Sequence, residues 1–228
     1  MNSLTLEKFL NDENFRSLKK IVNDKLSIKY KIFNYSMGET VIEKDTIPGN
    51  IFLISSGNAR LIDEIDGKKV SLAKFGAGHI LGAPSLMSGR PCENFIAVNN
   101  LEILAIDEES WINLYQSSKE FKDNCDRYLW PQEIIYLMTE IYRNLALSNI
   151  SLEDLILKGL NDAIPSEIDK NRIKSEKIKM NRDTYLCSNM GKGNQDCQIV
   201  DQFTFELTEM KFRPRLISLS NKITRSRF

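Results

Sequence analysis

A series of short apolar segments between Tyr30 and Ile106 constrains the fold of this chain more than any other feature of its sequence. Each segment has the length of a strand, about 4–8 residues, and Gly, Pro, Asn or Asp residues separate it from the next. The candidate strands are Lys31–Tyr35, Thr40–Glu43, Ile51–Ser55, Ala59–Glu64, Lys69–Phe75, Phe95–Val98 and Glu102–Ile106. Asp66-Gly67 predicts a tight hairpin, because glycine tolerates the positive φ that such turns require. This part of the chain is therefore predicted to be all-β.

Helical spacing flanks the predicted strands on both sides. Before them, residues 4–26 carry apolar side chains at helical intervals among Lys, Glu and Asn. After them, two short apolar faces follow each other, made by Trp111, Leu114 and Tyr115 and then by Phe121, Cys125, Tyr128 and Leu129. Pro131 predicts the start of a further helix, since proline is well tolerated in a first turn.

The predicted helix after Pro131 carries a long apolar stripe of Ile134, Leu137, Met138, Ile141 and Leu145. Their spacing is that of one helix face. The favoured interpretation is a core face that packs on the β domain of the same chain. The alternative is a homodimer seam through the helix between Ile134 and Leu145.

The last third of the chain changes character again. Ser151-Leu-Glu-Asp154 predicts a capped helix start, and the polar, Pro-interrupted stretch from Asp162 to Asp183 is typical of a linker. Two predicted strands, Thr184–Ser188 and Cys197–Val200, flank a turn-rich segment and suggest a hairpin. A symmetric hairpin would place Cys187 opposite Cys197, either as a disulfide or, in a reducing cytoplasm, as two free thiols.

Composition excludes several functions. Lys plus Arg and Asp plus Glu number 31 each, so we expect no nucleic-acid partner of the DNA-coating kind. The single histidine, His79, has no nucleophile pattern beside it, and the four cysteines form no C-x-x-C pair, so neither a catalytic site nor a metal site is expected. No apolar run reaches the ~20 residues of a membrane span, and the start lacks the pattern of a signal peptide. The chain is predicted to be cytoplasmic and not an enzyme.

Three motifs carry a resemblance to a known family. They are Met37-Gly-Glu-Thr-Val-Ile42, Asn50-Ile-Phe-Leu-Ile-Ser-Ser-Gly57 and Leu72-Ala-Lys-Phe-Gly-Ala-Gly-His-Ile-Leu-Gly82. In this order they resemble the cyclic-nucleotide-binding domain family. The resemblance implies an α+β fold: an antiparallel β-roll, jelly-roll-like, with flanking helices, plus a C-terminal appendage with a β-hairpin. The predicted domains are a helical segment over 1–29, the β-roll with its following helices over 30–148, and a linker with a small β-containing appendage over 149–228.

In this family the phosphate-binding cassette reads F-G-E-L-A and later R-A-A or R-A-T. The Glu accepts hydrogen bonds from the ribose, and the Arg pairs with the cyclic phosphate. Here Ala83 stands at the Glu position, Pro84 removes an amide donor, Cys92 stands at the Arg position, and Glu93 adds a negative charge beside the phosphate. The resemblance thus implies a degenerate ligand site of Gly82, Ala83, Ser85, Cys92, Glu93 and Asn94.

Losing the phosphate pair costs about 1.5–3 kcal/mol, and losing the ribose acceptor removes about 1–3 kcal/mol more. A micromolar site has only about 8 kcal/mol in total. Cyclic AMP and cyclic GMP are therefore disfavoured as ligands, and no cofactor is expected.

A narrower resemblance concerns cyanobacterial peptide or protein exporters. Pro91-Cys-Glu93, Cys125-x-x-x-Leu-Trp-Pro-x-Glu133, Tyr185-Leu-Cys-Ser-Asn189 and Arg215-Leu-Ile-Ser-Leu219 are similar to the N-terminal regulatory region of ABC transporters of the type I secretion class. The resemblance implies a non-enzymatic regulatory or docking module whose partner is an exporter subunit. Binding at the β-roll would shift how the helices after Ile106 pack.

The alternative is a Crp-like transcription regulator that responds to a cyclic nucleotide. That class needs a helix-turn-helix after its long helix. The bases of Lys170–Arg182 alternate with acidic residues, and no two-helix pattern with a short turn is seen there.

Overall fold

A computed structural model describes residues 30–145, 150–166, 181–188, 198–199, 212 and 215–224. These residues form two compact units. The first comprises residues 30–86 and 91–128, and the second comprises residues 87–90 and the described residues from 129 onward. The predicted helix over residues 4–26 lies outside the described residues. The predicted domain boundaries, after residues 29 and 148, stay predictions.

The first unit is built from eight strands in two antiparallel sheets. The strands are β1 (Tyr30–Tyr35), β2 (Thr40–Ile42), β3 (Asn50–Ser56), β4 (Asn58–Ile65), β5 (Lys68–Gly76), β6 (Ile80–Leu81), β7 (Phe95–Ala97) and β8 (Leu101–Asp107). Their orders are β1-β8-β3-β6 and β2-β7-β4-β5. All seven predicted strands are present with ends within one residue of the prediction. The predicted fold class, a mixed α and β fold with an antiparallel β-roll, is confirmed.

The hairpin between β4 and β5 has the predicted geometry. Asp66 and Gly67 both adopt positive φ, 50° and 73°, between the paired residues Ile65 and Lys68. Positive φ at both central positions defines a type I′ turn, whose twist matches that of the strands it joins.

The core of the first unit combines the inner faces of the strands with two helices. Phe75 and Phe95 meet edge to face in it, with ring centroids 5.2 Å apart. Helix α2 (Glu108–Ser117) begins at Asp107, whose side chain accepts from the Ser110 N–H at 2.7 Å. The buried residues of α2 and of α3 (Lys119–Arg127) all belong to the predicted apolar faces: Trp111, Leu114, Tyr115, Phe121 and Cys125. The other two predicted face residues, Tyr128 and Leu129, lie after α3 and are half-buried. A further short helix, α1 (Ala83–Ser88), was not predicted.

The second unit contains a four-stranded antiparallel sheet in the order β11-β10-β12-β9 and three helices. Its elements are α4 (Pro131–Leu145), α5 (Leu152–Asp162), β9 (Ile164–Ser166), β10 (Arg182–Leu186), β11 (Gln198–Ile199), β12 (Leu216–Ser220) and α6 (Asn221–Thr224). The predicted helix start is confirmed, because the Ser151 side chain accepts from the Asp154 N–H at 3.1 Å. The predicted linker over Asp162–Asp183 is wrong near both ends, because residues 164–166 pair with β12 and residues 182–183 begin β10.

The apolar stripe of α4 is a buried face. Ile134, Leu137, Met138 and Ile141 are all buried within the single chain. Within its unit α4 packs on α5, where a Cβ placed on Gly159 would meet Met138 Cγ at 2.5 Å and Ile134 Cγ2 at 3.4 Å. Gly159 thus lets the two helices approach closely. The homodimer seam stays a prediction.

The predicted C-terminal hairpin is confirmed in outline. Strands β10 and β11 pair antiparallel, with Tyr185 opposite Ile199 and Leu186 opposite Gln198. Cys187 is buried, and Cys197 lies outside the described residues, so their pairing stays a prediction.

Two buried arginines tie the second unit together. Arg215 donates to both carboxylate oxygens of Glu133, at 3.1 and 2.9 Å. Arg182 donates to the Ser218 hydroxyl at 3.1 Å and to the Asp162 carbonyl at 2.5 Å, and it pairs with the Asp162 carboxylate at 3.2 Å. Each guanidinium thus joins a helix to the sheet region and satisfies polar atoms there.

Among the described residues, no helix combines the length and the apolar character that crossing a membrane requires.

Candidate functional site

The segment from Gly82 to Asn94 connects the two sheets of the first unit and contains the predicted ligand residues. It leaves β6, where Leu81 pairs with Phe52, and it ends at β7, where Phe95 pairs with Ile42 and Leu61. Helix α1 lies between these two strands. The segment is therefore held at both ends by hydrogen-bonded ladders.

Gly82 has a backbone conformation that side chains rarely adopt. Its φ is +87°, and an added Cβ would stand 2.9 Å from the Asn50 carbonyl oxygen and 3.0 Å from Pro48 Cγ. The left-handed φ and the close approach of β3 both require glycine here. Gly82 directly precedes α1, so its N–H group and that of Ser85 both lie at the start of this helix.

The side chain of Glu93 receives those N–H groups. One carboxylate oxygen accepts from the Gly82 N–H at 2.8 Å, and the other accepts from the Ser85 N–H at 3.3 Å and from the Ser85 hydroxyl at 2.7 Å. Glu93 is only 3% exposed. A carboxylate is well placed here, because the free N–H groups of a first helical turn carry partial positive charge.

Ser85 completes a small network around this carboxylate. Its hydroxyl oxygen accepts from the Cys92 N–H at 3.2 Å while its proton is donated to Glu93, and the Cys92 sulfur lies 3.5 Å from the same hydroxyl. Ser85 is fully buried, and Cys92 is buried as well. The result is a set of hydrogen bonds that joins the start of α1 directly to residues 92–93.

The structure therefore brings together four of the six predicted site residues: Gly82, Ser85, Cys92 and Glu93. Ala83 is fully buried beside them. Asn94 belongs to the strand ladder, since its carbonyl accepts from the Ile62 N–H at 2.9 Å. Sequence reasoning missed the role of Glu93, which was expected to stand beside the anion position, whereas its carboxylate lies on the amide donors themselves.

The single histidine of the sequence, His79, lies in the turn before β6. Its ring packs edge-on against Phe75, with centroids 5.4 Å apart, and its Nδ1 is 3.0 Å from the Gly76 carbonyl oxygen. The ring thus has a packing contact and a local hydrogen bond. Within the described residues, no three His, Cys, Asp or Glu side chains are grouped so that they could hold a metal ion.

Comparison with known proteins agrees with this architecture. The family model of the cyclic nucleotide-binding domain matches residues 32–118. This part of the chain is therefore a cyclic nucleotide-binding-type domain. None of the curated proteins compared matches the chain.

Several solved structures are similar to part of this chain. The catabolite activator protein of Thermus thermophilus is similar at 19% identity and a TM-score of 0.42, over 66% of this chain and 63% of that chain. A putative cyclic nucleotide-binding protein from Geobacter metallireducens is similar at 14% identity and a TM-score of 0.40, over 54% of this chain and 90% of that one. A transcriptional regulator from Thermotoga maritima is similar at 19% identity and a TM-score of 0.38, over 57% of this chain and 92% of that chain. The chain thus spans less than two thirds of the Thermus protein.

Proposed function

We propose that this chain is a non-enzymatic regulatory or docking module whose β-roll does not take cyclic AMP or cyclic GMP in the family's usual pose. The observation that carries the proposal is the buried carboxylate of Glu93 on the Gly82 and Ser85 amides. These amides are the donors that a phosphate would need at the start of α1. A phosphate brought to the same donors would meet a like charge at close range in a buried environment.

Glu93 also competes with a free nucleotide for these donors. It has an advantage, because it is attached to the chain beside them. Asn94 and Phe95 fix the backbone next to it in the β4–β7 ladder. An attached ligand acts at an effective concentration in the millimolar range or above, and more when it is well oriented. A free nucleotide would have to displace a carboxylate that never leaves the site. The resemblance adds that the ribose acceptor and the phosphate-pairing arginine are replaced here by Ala83 and Cys92.

The partner in this proposal is an exporter of the ABC type, and the location is the cytoplasm. This part rests on the likeness of Pro91-Cys-Glu93 and Arg215-Leu-Ile-Ser-Leu219 to the regulatory regions of such exporters. It makes a prediction about the genome: the reading frame beside this one encodes a membrane-spanning ATPase. That ATPase, co-expressed with this chain, should co-purify with it, and a neighbourhood without such an ATPase would count against the exporter.

Thermal unfolding with added nucleotide tests the ligand part. The melting temperature of the full chain should stay unchanged with cyclic AMP or cyclic GMP up to the low millimolar range. A ligand at 100 times its Kd stabilises by about 2.7 kcal/mol, which would raise the Tm of a chain of this size by several degrees. A clear rise at low micromolar nucleotide would contradict the proposal.

A matched variant makes the thermal test sharper. Cys92→Arg combined with Glu93→Ala restores the Arg-Ala pair of the family and removes the competing carboxylate. We expect this double variant to gain a rise in Tm with millimolar cyclic AMP that the parent chain lacks. A salt-sensitive gel shift with mixed DNA fragments would instead favour the Crp-like transcription regulator.

A further inference from the structure

We infer that Glu93 is a built-in ligand that keeps the start of α1 in one fixed arrangement without any effector. This inference rests on the proposed function, since it assigns the regulatory state of the same segment. In a module regulated by a ligand, the ligand acts by favouring one arrangement over another. Here the contacts that favour one arrangement come from Glu93, a side chain of the module itself.

The first argument is that the hydrogen bonds cross the segment in both directions. Residues 82 and 85 donate to residue 93, and residue 92 donates back to the Ser85 hydroxyl. Both oxygens of the carboxylate are used. Moving α1 away from residues 92–93 would therefore break several bonds at once and leave buried polar groups unsatisfied.

The second argument is that both ends of the segment are immobilised. At one end, Gly82 lies against the Asn50 carbonyl oxygen with a left-handed φ. At the other end, the Phe95 side chain is fully buried and packs edge-on against Phe75. The Glu93 side chain therefore reaches α1 from a fixed backbone, so its contact is not one of many positions of a mobile loop.

The third argument is that water is kept away from the contact. Ala83 and Ser85 are fully buried, and Cys92 and Glu93 are 8% and 3% exposed. Buried charge-assisted hydrogen bonds are stronger than exposed ones, because water does not compete for the donors. Contacts within the chain itself thus hold the segment closed, and the signal that the module gives should not depend on a nucleotide.

Amide hydrogen exchange of the full chain without added ligand tests this inference. The Gly82, Ser85 and Cys92 amides should exchange as slowly as the core amides of β3 and β8. In Glu93→Gln the carboxamide offers one acceptor oxygen in place of two. We expect exchange at Gly82 and Ser85 to become at least tenfold faster, while the β3 and β8 amides stay as they were.

Glu102→Gln is the matched control. Glu102 accepts from the Ser55 hydroxyl at 2.6 Å in the same β-roll, so the control also removes a Ser–Glu contact. It should leave exchange at Gly82 and Ser85 unchanged. Fast exchange of these amides in the parent chain, or exchange in Glu93→Gln equal to that of the parent, would overturn the inference.

A second variant covers the case in which Glu93→Gln does not fold. Ser85→Ala removes the acceptor of the Cys92 N–H and keeps the carboxylate on the two amides. Exchange at Cys92 should then rise more than exchange at Gly82, and an equal or reversed order would overturn the inference. The two proposals also fail differently. Nucleotide-induced stabilisation of a chain with protected amides overturns only the proposed function, whereas unprotected amides in a chain indifferent to nucleotide overturn only the built-in ligand.

Discussion

The two units of this chain each bury a glutamate, but they satisfy its charge in different ways. In the second unit Glu133 is 2% exposed and faces the guanidinium of Arg215. In the first unit Glu93 is 3% exposed and accepts from two backbone amides and a hydroxyl. The first contact ties α4 to the sheet region by a pair of full charges. The second uses the partial charges of a helical turn, which exist wherever the backbone adopts that shape.

The difference teaches which contacts can be exchanged and which are part of the fold. An ion pair can be replaced by apolar side chains of similar volume, because both charges leave together. Backbone amides cannot be removed, so the donors at Gly82 and Ser85 always need an acceptor. Here the acceptor is the carboxylate of Glu93, a side chain of the same unit.

The largest expected effect comes from breaking the ion pair on one side. Arg215→Ala leaves the Glu133 carboxylate buried without its guanidinium, and we expect the second unit to lose about 3–5 kcal/mol of unfolding free energy. Urea denaturation in a Trp111→Phe background measures this loss of stability, because Trp130 is then the remaining tryptophan. Trp130 is buried in the second unit, so its fluorescence follows the unfolding of that unit.

The double variant Glu133→Leu with Arg215→Met is the control for that measurement. It removes both charges and should recover most of the lost stability. A double variant as unstable as Arg215→Ala would contradict the view that the buried pair is exchangeable.

The next largest loss of stability is expected from a substitution at Gly82, whose amide is one of the donors in the first unit. Gly82→Ala forces a side chain into a left-handed φ and against the Asn50 carbonyl oxygen, and it should cost about 2–4 kcal/mol. Gly78→Ala has a similar φ of +90° with no atom within 4 Å of the added Cβ, so it should cost only about 1–2 kcal/mol. Urea denaturation measures the loss of unfolding free energy in both variants. Equal losses would show that the close approach of Gly82 to the Asn50 carbonyl oxygen does not affect the cost of an added side chain.

Changing the acceptor should cost somewhat less. Glu93→Gln keeps the shape of the side chain but loses its charge, and we expect the first unit to lose about 1.5–3 kcal/mol. The second unit should keep its stability, and Trp111 fluorescence in a Trp130→Phe background follows the first unit separately. A loss shared equally by both units would contradict a local role of Glu93.

The smallest losses of stability are expected when one buried hydroxyl group is removed from each unit. Ser85→Ala deprives both Glu93 and the Cys92 N–H of a partner and should cost about 1–2 kcal/mol. Ser218→Ala should cost less, about 0.5–1 kcal/mol, because Arg182 still donates to the Ser218 carbonyl at 2.6 Å and to Asp162. Thermal unfolding of the two variants side by side measures the difference, and the reverse order would be evidence against the network around Glu93.

The strands of the first unit could be predicted because their apolar residues recur between turn residues, as in Lys69–Phe75 and its Asp66-Gly67 turn. Helix α1 could not, since six residues that include Pro84 are too short to show a helical period. The role of Glu93 depends on donors eight and eleven positions earlier, which only the folded chain brings near. In the second unit, the start of β10 was missed because Arg182 and Asp183 are charged in sequence but buried in the structure.

The buried cysteines offer a way to measure how often each unit opens. Cys92 and Cys125 lie in the first unit and Cys187 lies in the second, and all three side chains are buried. A thiol reacts only when a local or global opening exposes it and allows the thiolate to form. Alkylation rates resolved by mass spectrometry for each cysteine would therefore report how often each unit opens, in the unmodified chain and without an added label. A partner that binds one unit would slow the reaction of that unit's thiols, which makes these cysteines natural probes of where docking occurs.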